Sequence, residues 1–393
     1  MKITRLQLTN IALCFLLNML DGMDVMVVSY AAPSISKSWT ISPQSLGIVF
    51  SAGLLGMTIG AMFIAPRADK IGRKTIILLC TLIMGISVFA TAWAGSVNAL
   101  MLFRVLSGVG IGGVLASSAT LTAEYAPKQT KDFWVSFVMS GYPIGAVLSG
   151  LVAGSIIPQY GWPTMFKIAG AASVIVIHVV YLFLKESEEF LQKSGAKKNP
   201  AVTALLTPQY KKPTLWLWLA IFMAFASLYF LTTWIPKLAA ATGLSVELAI
   251  YAGTIFNLGA FAGIVSQGFL SARFGLQKTI FWYLAFTALL MVLFGLFKGS
   301  VLVLILFGLI GFGVQGGFVG MYSVAAKLYP VDRRATGVGW AVGAGRIGAI
   351  AGPLVGGLLI GWGLSMAANF IAFAVPTIIA GIATLFITTK ETN

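Results

Sequence analysis

The sequence predicts an all-α membrane protein with twelve transmembrane helices in two pseudo-symmetric six-helix bundles. Three observations predict this fold. First, 58% of the 393 residues are hydrophobic and only 9% are charged, whereas a soluble domain carries about 25% charged residues. Second, twelve apolar stretches are long enough to cross a hydrocarbon core of about 30 Å. Third, the two halves of the chain repeat their glycines and prolines at a constant offset.

The composition also excludes several classes of protein. A soluble enzyme needs far more surface charge, and the 44 glycines follow no collagen-like period. The apolar content is too high for a disordered chain. A net charge of +15 in a soluble protein would indicate nucleic acid. In a membrane protein it indicates basic cytoplasmic loops, so we expect the lipid bilayer as a partner and no nucleic acid.

The apolar stretches are interpreted as spans 1 to 12, counted from the N-terminus. Span 1 follows two basic residues, as a signal peptide would, but it is too long and contains two aspartates. Twenty Lys and Arg lie in segments on the same side of the membrane as the N-terminus, and four lie in segments on the opposite side. This bias predicts a multi-pass protein of the cell (inner) membrane with both termini cytoplasmic. The spans cover residues 11–33, 43–65, 75–94, 98–122, 133–157, 164–184, 214–236, 247–270, 279–297, 299–325, 336–360 and 365–388.

A long polar interruption after span 6 divides the chain. It predicts an N-terminal six-helix bundle over 1–185, a cytoplasmic linker over 186–213 and a C-terminal six-helix bundle over 214–393. Duplicated halves are typical of secondary transporters that alternate access around a site at the repeat interface. At an offset of 203, the aligned pairs include Pro33 with Pro236, Gly60 with Gly263, Gly72 with Gly275, Pro127 with Pro330 and Gly145 with Gly348.

Short motifs resemble those of one transporter superfamily. The loop after span 2, residues 60–74, reads GAMFIAPRADKIGRK and is similar to the signature loop of the major facilitator superfamily. Residues 104–110 in span 4, RVLSGVG, resemble its intramembrane arginine motif. Residues 21–24, DGMD, resemble the Asp-Gly-aromatic-Asp motif of its aromatic acid:proton symporters (metabolite:proton symporters). AEYAP at 123–127 and GRIG at 345–348 also fit that subfamily.

Four departures from the family pattern bear on which substrate is bound, and they leave the resemblance to the superfamily unchanged. Met23 replaces the usual aromatic residue, and Arg67 stands where the signature loop has an apolar residue. Lys131 replaces an arginine after span 4, and residues 184–190 lack the prolines of the family's Pro-Glu-Ser-Pro run.

Three polar residues form a stripe on span 1. Asn18, Asp21 and Asp24 follow an i, i+3, i+6 spacing, which puts them on one helical face. A charge in the membrane costs a few kcal/mol, so it normally faces protein or a water-filled cavity. Two carboxylates this close repel, which favours retention of one proton between them. We expect at least one aspartate to couple transport to protons; the alternative is a hydrogen bond to a neighbouring helix near Gly22.

Arg104 in span 4 stays protonated and needs an anionic partner. The hypothesis is that it pairs with the span-1 aspartates when they are deprotonated and is released when they take up a proton. The alternative is a fixed structural salt bridge.

Arg346 lies near the middle of span 11, and its repeat partner is Pro143. The duplication therefore does not require an arginine there. Because a guanidinium fork matches a carboxylate, we predict that Arg346 contacts the substrate carboxylate. A structural ion pair is the alternative.

Charged residues at the cytoplasmic ends of the spans point to a conformational gate. Glu124 stands where the resemblance implies a functional acid. It is assigned either to proton coupling or to a latch with Arg73, with Asp69 set against the start of span 11. We assign Asp69, Gly72 and Arg73 to conformational switching. Arg333 and Arg334 lie in a related loop of the second half, and they either take part in conformational switching or only fix the orientation of the chain in the membrane.

The resemblance implies that spans 1, 4, 7 and 10 line the cavity. Aromatic and amide side chains there would stack on an aromatic ring and bind its substituents. Taken singly, each fits packing or an interfacial position equally well. His178 in span 6 has apolar neighbours and is predicted to be a packing residue. The candidate substrate-binding residues of the pocket wall are Tyr229 and Trp234 on span 7, Gln315 and Tyr322 on span 10, Asn18 on span 1 and, from the neighbouring span 8, Asn257.

Together these features predict a proton-coupled symporter that imports a small organic anion, an aromatic or related carboxylate, by alternating access. We expect no enzymatic activity and no metal site. We expect no cofactor beyond the proton as coupling ion, and a monomer. A proton-coupled antiporter that exports a drug-like compound or metabolite is the first alternative, because GAIAGPLVGG at 348–357 resembles an antiporter motif. A non-transporting receptor on a transporter scaffold is the second.

Overall fold

A computed structural model describes residues 3–127, 130–187, 205–296 and 300–387 of the protein, and the regular elements in these ranges are helices. Twelve helices or helical segments in these ranges are long and apolar enough to cross a membrane. They confirm the predicted fold class. By their contacts, the helices divide into two units, Met1–Ala196 and Lys197–Asn393. The predicted linker 186–213 straddles this division, and 188–204 lie outside the described residues. The predicted domain boundaries stay a prediction.

The first unit supplies six of the spans. The second of them begins with α2 and is completed by a π-helical turn, Gly60–Ile64, and a 3₁₀ turn, Ala65–Arg67. Its fifth span joins α6 to α7. The α-helices of this unit are α1 (Arg5–Trp39), α2 (Pro43–Ile59), α3 (Ala68–Ile71), α4 (Arg73–Thr91), α5 (Val97–Tyr125), α6 (Lys131–Met139), α7 (Gly141–Tyr160) and α8 (Trp162–Phe183).

The second unit supplies the other six spans, one from each long α-helix. A short 3₁₀ turn, Phe294–Leu296, follows the third of them. The helices are α9 (Pro208–Ala241), α10 (Val246–Phe274), α11 (Leu276–Leu293), α12 (Ser300–Leu328), α13 (Val331–Gly361) and α14 (Met366–Leu385).

Repeat-related glycines turn the chain at the same point of both units. Gly72 has φ 99° and immediately precedes α4, and Gly275 has φ 87° and immediately precedes α11. An L side chain is strained at such positive φ, whereas glycine adopts it readily. The sequence repeat therefore corresponds to a repeated backbone geometry in front of each unit's third span.

Glycines also allow two pairs of helices to touch at their backbones. A Cβ at Gly22 of α1 would overlap the Tyr142 carbonyl oxygen of α7, and one at Gly145 would overlap the Met19 carbonyl oxygen. Gly348 of α13, the repeat partner of Gly145, would overlap the Phe222 carbonyl oxygen of α9 in the same way. Small residues at these sites bring the helices together.

Gly22→Ala is therefore expected to lower the free energy of unfolding by about 3 kcal/mol, the upper end of overpacking costs, because the new methyl meets backbone. Thermal unfolding of the detergent-purified protein measures this. Gly268→Ala in α10 is the matched control, since nothing lies within 4 Å of a Cβ there. An unchanged melting temperature for Gly22→Ala would contradict the close contact of α1 and α7.

Candidate functional site

A buried ion pair joins α1 and α5 in the first unit. The Arg104 guanidinium donates through Nη2 to Asp24 Oδ2 at 3.0 Å, and the two side chains are 3% and 1% exposed. The same nitrogen lies 2.5 Å from Ser107 Oγ, and Nη1 donates to the Asp24 carbonyl oxygen at 3.4 Å. The structure thus brings together the arginine and one of the aspartates that the sequence pairs. The switching role of the pair stays a prediction.

One oxygen of this pair has no partner in the described structure. Asp24 Oδ1 is buried and accepts no hydrogen bond from any residue that the structure describes. A buried carboxylate oxygen left without a donor is costly. Because Oδ2 accepts from Arg104, Oδ1 is the oxygen that is free to take up a proton. The geometry therefore suits a carboxylate that gains and loses a proton.

The other two members of the span-1 stripe are also buried. Asp21 lies one turn before Asp24. Asn18 Nδ2 donates to the Cys14 carbonyl oxygen at 3.0 Å and to Ser118 Oγ of α5 at 3.3 Å. The Asn18 amide therefore ties α1 to α5, which favours a positioning role over direct contact with substrate.

A second ion pair lies at the start of α4. Arg73 Nη2 donates to Glu124 Oε1 of α5 at 3.0 Å, and both side chains are largely buried. Arg73 Nη1 also donates to the Ala68 carbonyl oxygen at 3.2 Å. This contact is the one that the latch interpretation of Glu124 requires. The side chain of Asp69, the other predicted gate acid, lies outside the described residues.

Glu186, just after α8, is a residue that the sequence analysis missed. Its carboxylate accepts the backbone N–H of Arg73 at 2.9 Å and that of Lys74 at 3.1 Å. Tyr125, at the end of α5, donates to the Glu186 carbonyl oxygen at 2.7 Å. The first N–H groups of a helix lack partners within that helix and favour negative charge. Glu186 therefore caps α4 beside the Arg73–Glu124 pair.

Glu186→Ala is expected to lower the free energy of unfolding by about 1 to 2 kcal/mol, because two backbone donors of α4 lose their acceptor. Glu186→Gln retains an acceptor oxygen and should lose less. Thermal unfolding in detergent gives the ranking. Glu247→Ala removes an exposed acid from the first turn of α10 and serves as the control. Equal effects of Glu186→Ala and Glu247→Ala would show that Glu186 is not a cap.

Arg346 of α13 is a buried cation in the second unit. It is 7% exposed, and its Nε and Nη1 atoms are buried without a hydrogen-bond partner. Within the described part of the chain it makes no ion pair. Its Cζ lies 6.0 Å from the centroid of the Phe225 ring of α9. A cation–π contact supplies only part of the stabilisation that a desolvated charge needs, so this site is suited to an anion.

Aromatic rings from α9 and α12 form a cluster beside Arg346. Phe225 stacks on Tyr229 at 5.8 Å and meets Phe318 edge-on at 4.7 Å. Phe318 meets Tyr322 edge-on at 5.4 Å, and Tyr322 is partly exposed. The sequence analysis named the tyrosines and missed the phenylalanines. Their only signal is an i, i+4 spacing from each tyrosine, which makes helical neighbours.

The remaining pocket candidates are less available to a ligand. Trp234 is fully buried, and its indole Nε1 donates to the Pro353 carbonyl oxygen of α13 at 3.1 Å. Asn257 is fully buried and donates to the Gly253 carbonyl oxygen of its own helix at 2.9 Å. Gln315 is buried in α12. These contacts favour the packing interpretation for Trp234, whereas Asn257 keeps a buried Oδ1 without a partner among the described residues.

The prediction that His178 is a packing residue is wrong. His178 is exposed on α8, and its Nδ1 lies 2.9 Å from the Val174 carbonyl oxygen. Its apolar neighbours Val174 and Ile175 are exposed as well. In a membrane protein the lipid-facing surface is apolar too, so apolar neighbours do not indicate burial.

Comparisons with known proteins identify the family. The sequence profile of the Major Facilitator Superfamily matches residues 14–267 and 237–393. The 4-hydroxybenzoate transporter PcaK of Pseudomonas putida is 32% identical over 410 residues, covering 96% of this chain and 92% of PcaK. The 3-(3-hydroxy-phenyl)propionate transporter of Escherichia coli (strain K12) is 32% identical over 398 residues, covering 99% of this chain and 96% of that protein.

A solved structure shares the fold. The crystal structure of a D-xylose-proton symporter matches with a TM-score of 0.77 at 18% identity, covering 97% of each chain. The relatives are transporters of aromatic acids, and no enzyme family is indicated, as the sequence analysis predicts. The chain belongs to the Major Facilitator Superfamily and matches the aromatic acid transporters within it.

Proposed function

We propose that this chain is a proton-coupled symporter that imports an aromatic carboxylate by alternating access. The observation that carries the proposal is Arg346, a buried guanidinium with unused N–H groups beside a cluster of aromatic rings. In this account the protein works as a monomer in the cell membrane with both termini cytoplasmic, and it uses no cofactor other than the proton.

The chemistry around Arg346 suits both parts of such a substrate. The guanidinium fork binds a carboxylate through two parallel hydrogen bonds. The rings of Tyr229 and Tyr322, with Phe225 and Phe318 between them, offer faces and edges to an aromatic ring. The names of the two relatives, a hydroxybenzoate and a hydroxyphenylpropionate transporter, support this substrate class.

In the proposed coupling step, Asp24 takes up a proton at Oδ1. Protonation removes the negative charge that holds Arg104, so the guanidinium is released and the first unit changes its preferred conformation. A monoanion that moves with one proton transfers no net charge. Each unit of pH gradient then supplies about 1.4 kcal/mol, or about tenfold accumulation. If Asp21 also loads a proton, transport becomes electrogenic and responds to membrane potential.

We assign Arg73 and Glu124 to the latch, together with Gly72 and Asp69 of the same loop; proton coupling through Glu124 is the alternative. Removing either partner of a buried pair leaves the other charge uncompensated. We therefore expect Arg73→Gln and Glu124→Gln to slow counterflow exchange by a similar factor, about tenfold or more, and the double variant to recover part of the rate. The exposed Lys70→Gln is the control.

The two roles of Glu124 separate in a gradient experiment. A latch variant still reaches the wild-type accumulation ratio when given time, because the latch alters rates and not the driving force. If Glu124→Gln alone fails to accumulate substrate while Arg73→Gln succeeds, Glu124 carries protons and the latch assignment is wrong.

Uptake of labelled carboxylates into proteoliposomes tests the function. The panel comprises 4-hydroxybenzoate, 3-(3-hydroxyphenyl)propionate and an aliphatic acid, each with and without an inward proton gradient. We expect gradient-driven accumulation of an aromatic acid. If the inward proton gradient instead drives preloaded compound out of the liposomes against its own concentration gradient, the protein is a proton-coupled exporter. Absence of any exchange by purified, folded protein would favour the receptor.

A further inference from the structure

A cavity of about 470 Å³ lies along the first three turns of α9, in the second unit. Its lining residues follow an i, i+3, i+4, i+7, i+8, i+11 spacing, so they form one continuous stripe on the helix. They are Pro208, Lys211, Lys212, Leu215, Trp216 and Leu219.

The stripe changes from basic to apolar along the helix axis. Lys211 and Lys212 are exposed at the start of α9, and the first turn of the helix contains no acidic residue. The N-terminal end of a helix adds positive potential. Leu215, which is 48% exposed, begins the apolar part. From Lys211 to Leu219 the helix rises about 12 Å, so the charged and apolar parts match a headgroup and the adjoining acyl chains.

The apolar wall is held in place by a second helix. The Trp216 ring stacks on Phe386, at the end of α14, with ring centroids 5.1 Å apart and an interplanar angle of 25°. α9 is also one of the helices long and apolar enough to cross a membrane. Leu215, Trp216 and Leu219 belong to the predicted span 7, so we expect this end of the cavity to face lipid acyl chains.

We propose that this cavity binds an anionic phospholipid. Its phosphate pairs with Lys211 and Lys212, and its acyl chains lie on Leu215, Trp216 and Leu219. Basic pockets at membrane-facing helix ends bind anionic headgroups. The site is separate from the residues assigned to substrate and proton, so it stands independently of the proposed function.

Native mass spectrometry of the full-length protein in detergent tests the site, with phosphatidylglycerol and phosphatidylcholine as probes. We expect wild type to bind phosphatidylglycerol preferentially. Each lysine contributes about fivefold to the preference, so the double substitution Lys211→Gln/Lys212→Gln should reduce the preference by about 25-fold. Lys211→Arg/Lys212→Arg retains the charge and should retain the preference. The double substitution Lys278→Gln/Lys327→Gln removes two exposed lysines of the second unit that do not line the cavity, and it should have no effect.

Two results would overturn the proposal. Equal binding of the two lipids by wild type, or an equal loss in the Lys278/Lys327 control, would show general electrostatic attraction and no site. Competition by sn-glycerol 3-phosphate at the same concentration as the lipid would show a soluble phosphate site, because a lipid bound through its chains as well should not be displaced by the headgroup alone.

Discussion

Asp24→Asn is expected to abolish proton-driven accumulation of substrate, so that the internal and external concentrations become equal. Asparagine offers Arg104 a neutral partner across the same 3.0 Å contact and takes up no proton in its place. Uptake into proteoliposomes with an imposed pH gradient measures the loss. Counterflow exchange without a gradient reports separately whether the variant still binds and moves substrate.

The design must separate lost coupling from lost folding. Breaking one side of a buried ion pair costs about 3–5 kcal/mol, whereas replacing both charges is often neutral. The double variant Asp24→Asn/Arg104→Gln should therefore fold better than Asp24→Asn and still accumulate nothing. Asp24→Glu retains a carboxylate and is the conservative control. Full accumulation by either Asp24→Asn variant would show that the pair is only structural.

Arg346→Gln is expected to weaken binding of an aromatic carboxylate by about 30-fold or more, the effect of removing one partner of a buried charge pair. Arg346→Lys retains the charge and loses the fork, so it should be intermediate. Binding of labelled 4-hydroxybenzoate to the purified protein measures both variants. Arg273→Gln removes an arginine from the last turn of α10 and should bind like wild type.

Loss of Arg346 should affect stability and binding in opposite directions. A buried cation without an ion-pair partner among the described residues costs folding free energy. Arg346→Gln should therefore leave the melting temperature unchanged or raise it while binding falls. A lower melting temperature with normal binding would assign Arg346 to a structural role and move the carboxylate site elsewhere.

The fold follows from the sequence because lipid imposes strong rules. Each span needs about 20 apolar residues, and a buried charge needs a partner. The second rule is why the contact between Asp24 and Arg104 could be predicted across 80 residues of sequence. Glycine positions repeat because the same two backbones touch in each unit, as at Gly145 and Gly348.

The rest of the site depends on contacts between residues that are far apart in the sequence, and no local pattern predicts these contacts. Glu186 follows the sixth span and caps the third, and no pattern within either segment relates them. Phe225 and Phe318 are apolar residues within apolar helices, so the sequence does not distinguish them from residues that only pack. His178 shows the general difficulty, since hydrophobic neighbours occur equally in the interior and on the lipid-facing surface.

The most direct test of the central claim is substrate-induced proton movement. Lightly buffered proteoliposomes contain a pH-sensitive dye and no imposed gradient, and 4-hydroxybenzoate is added outside; protein-free liposomes correct for diffusion of the undissociated acid. Proton symport predicts that the interior acidifies with wild type and not with Asp24→Asn/Arg104→Gln. Entry of labelled substrate without acidification, or alkalinisation of the interior as substrate enters, would contradict it.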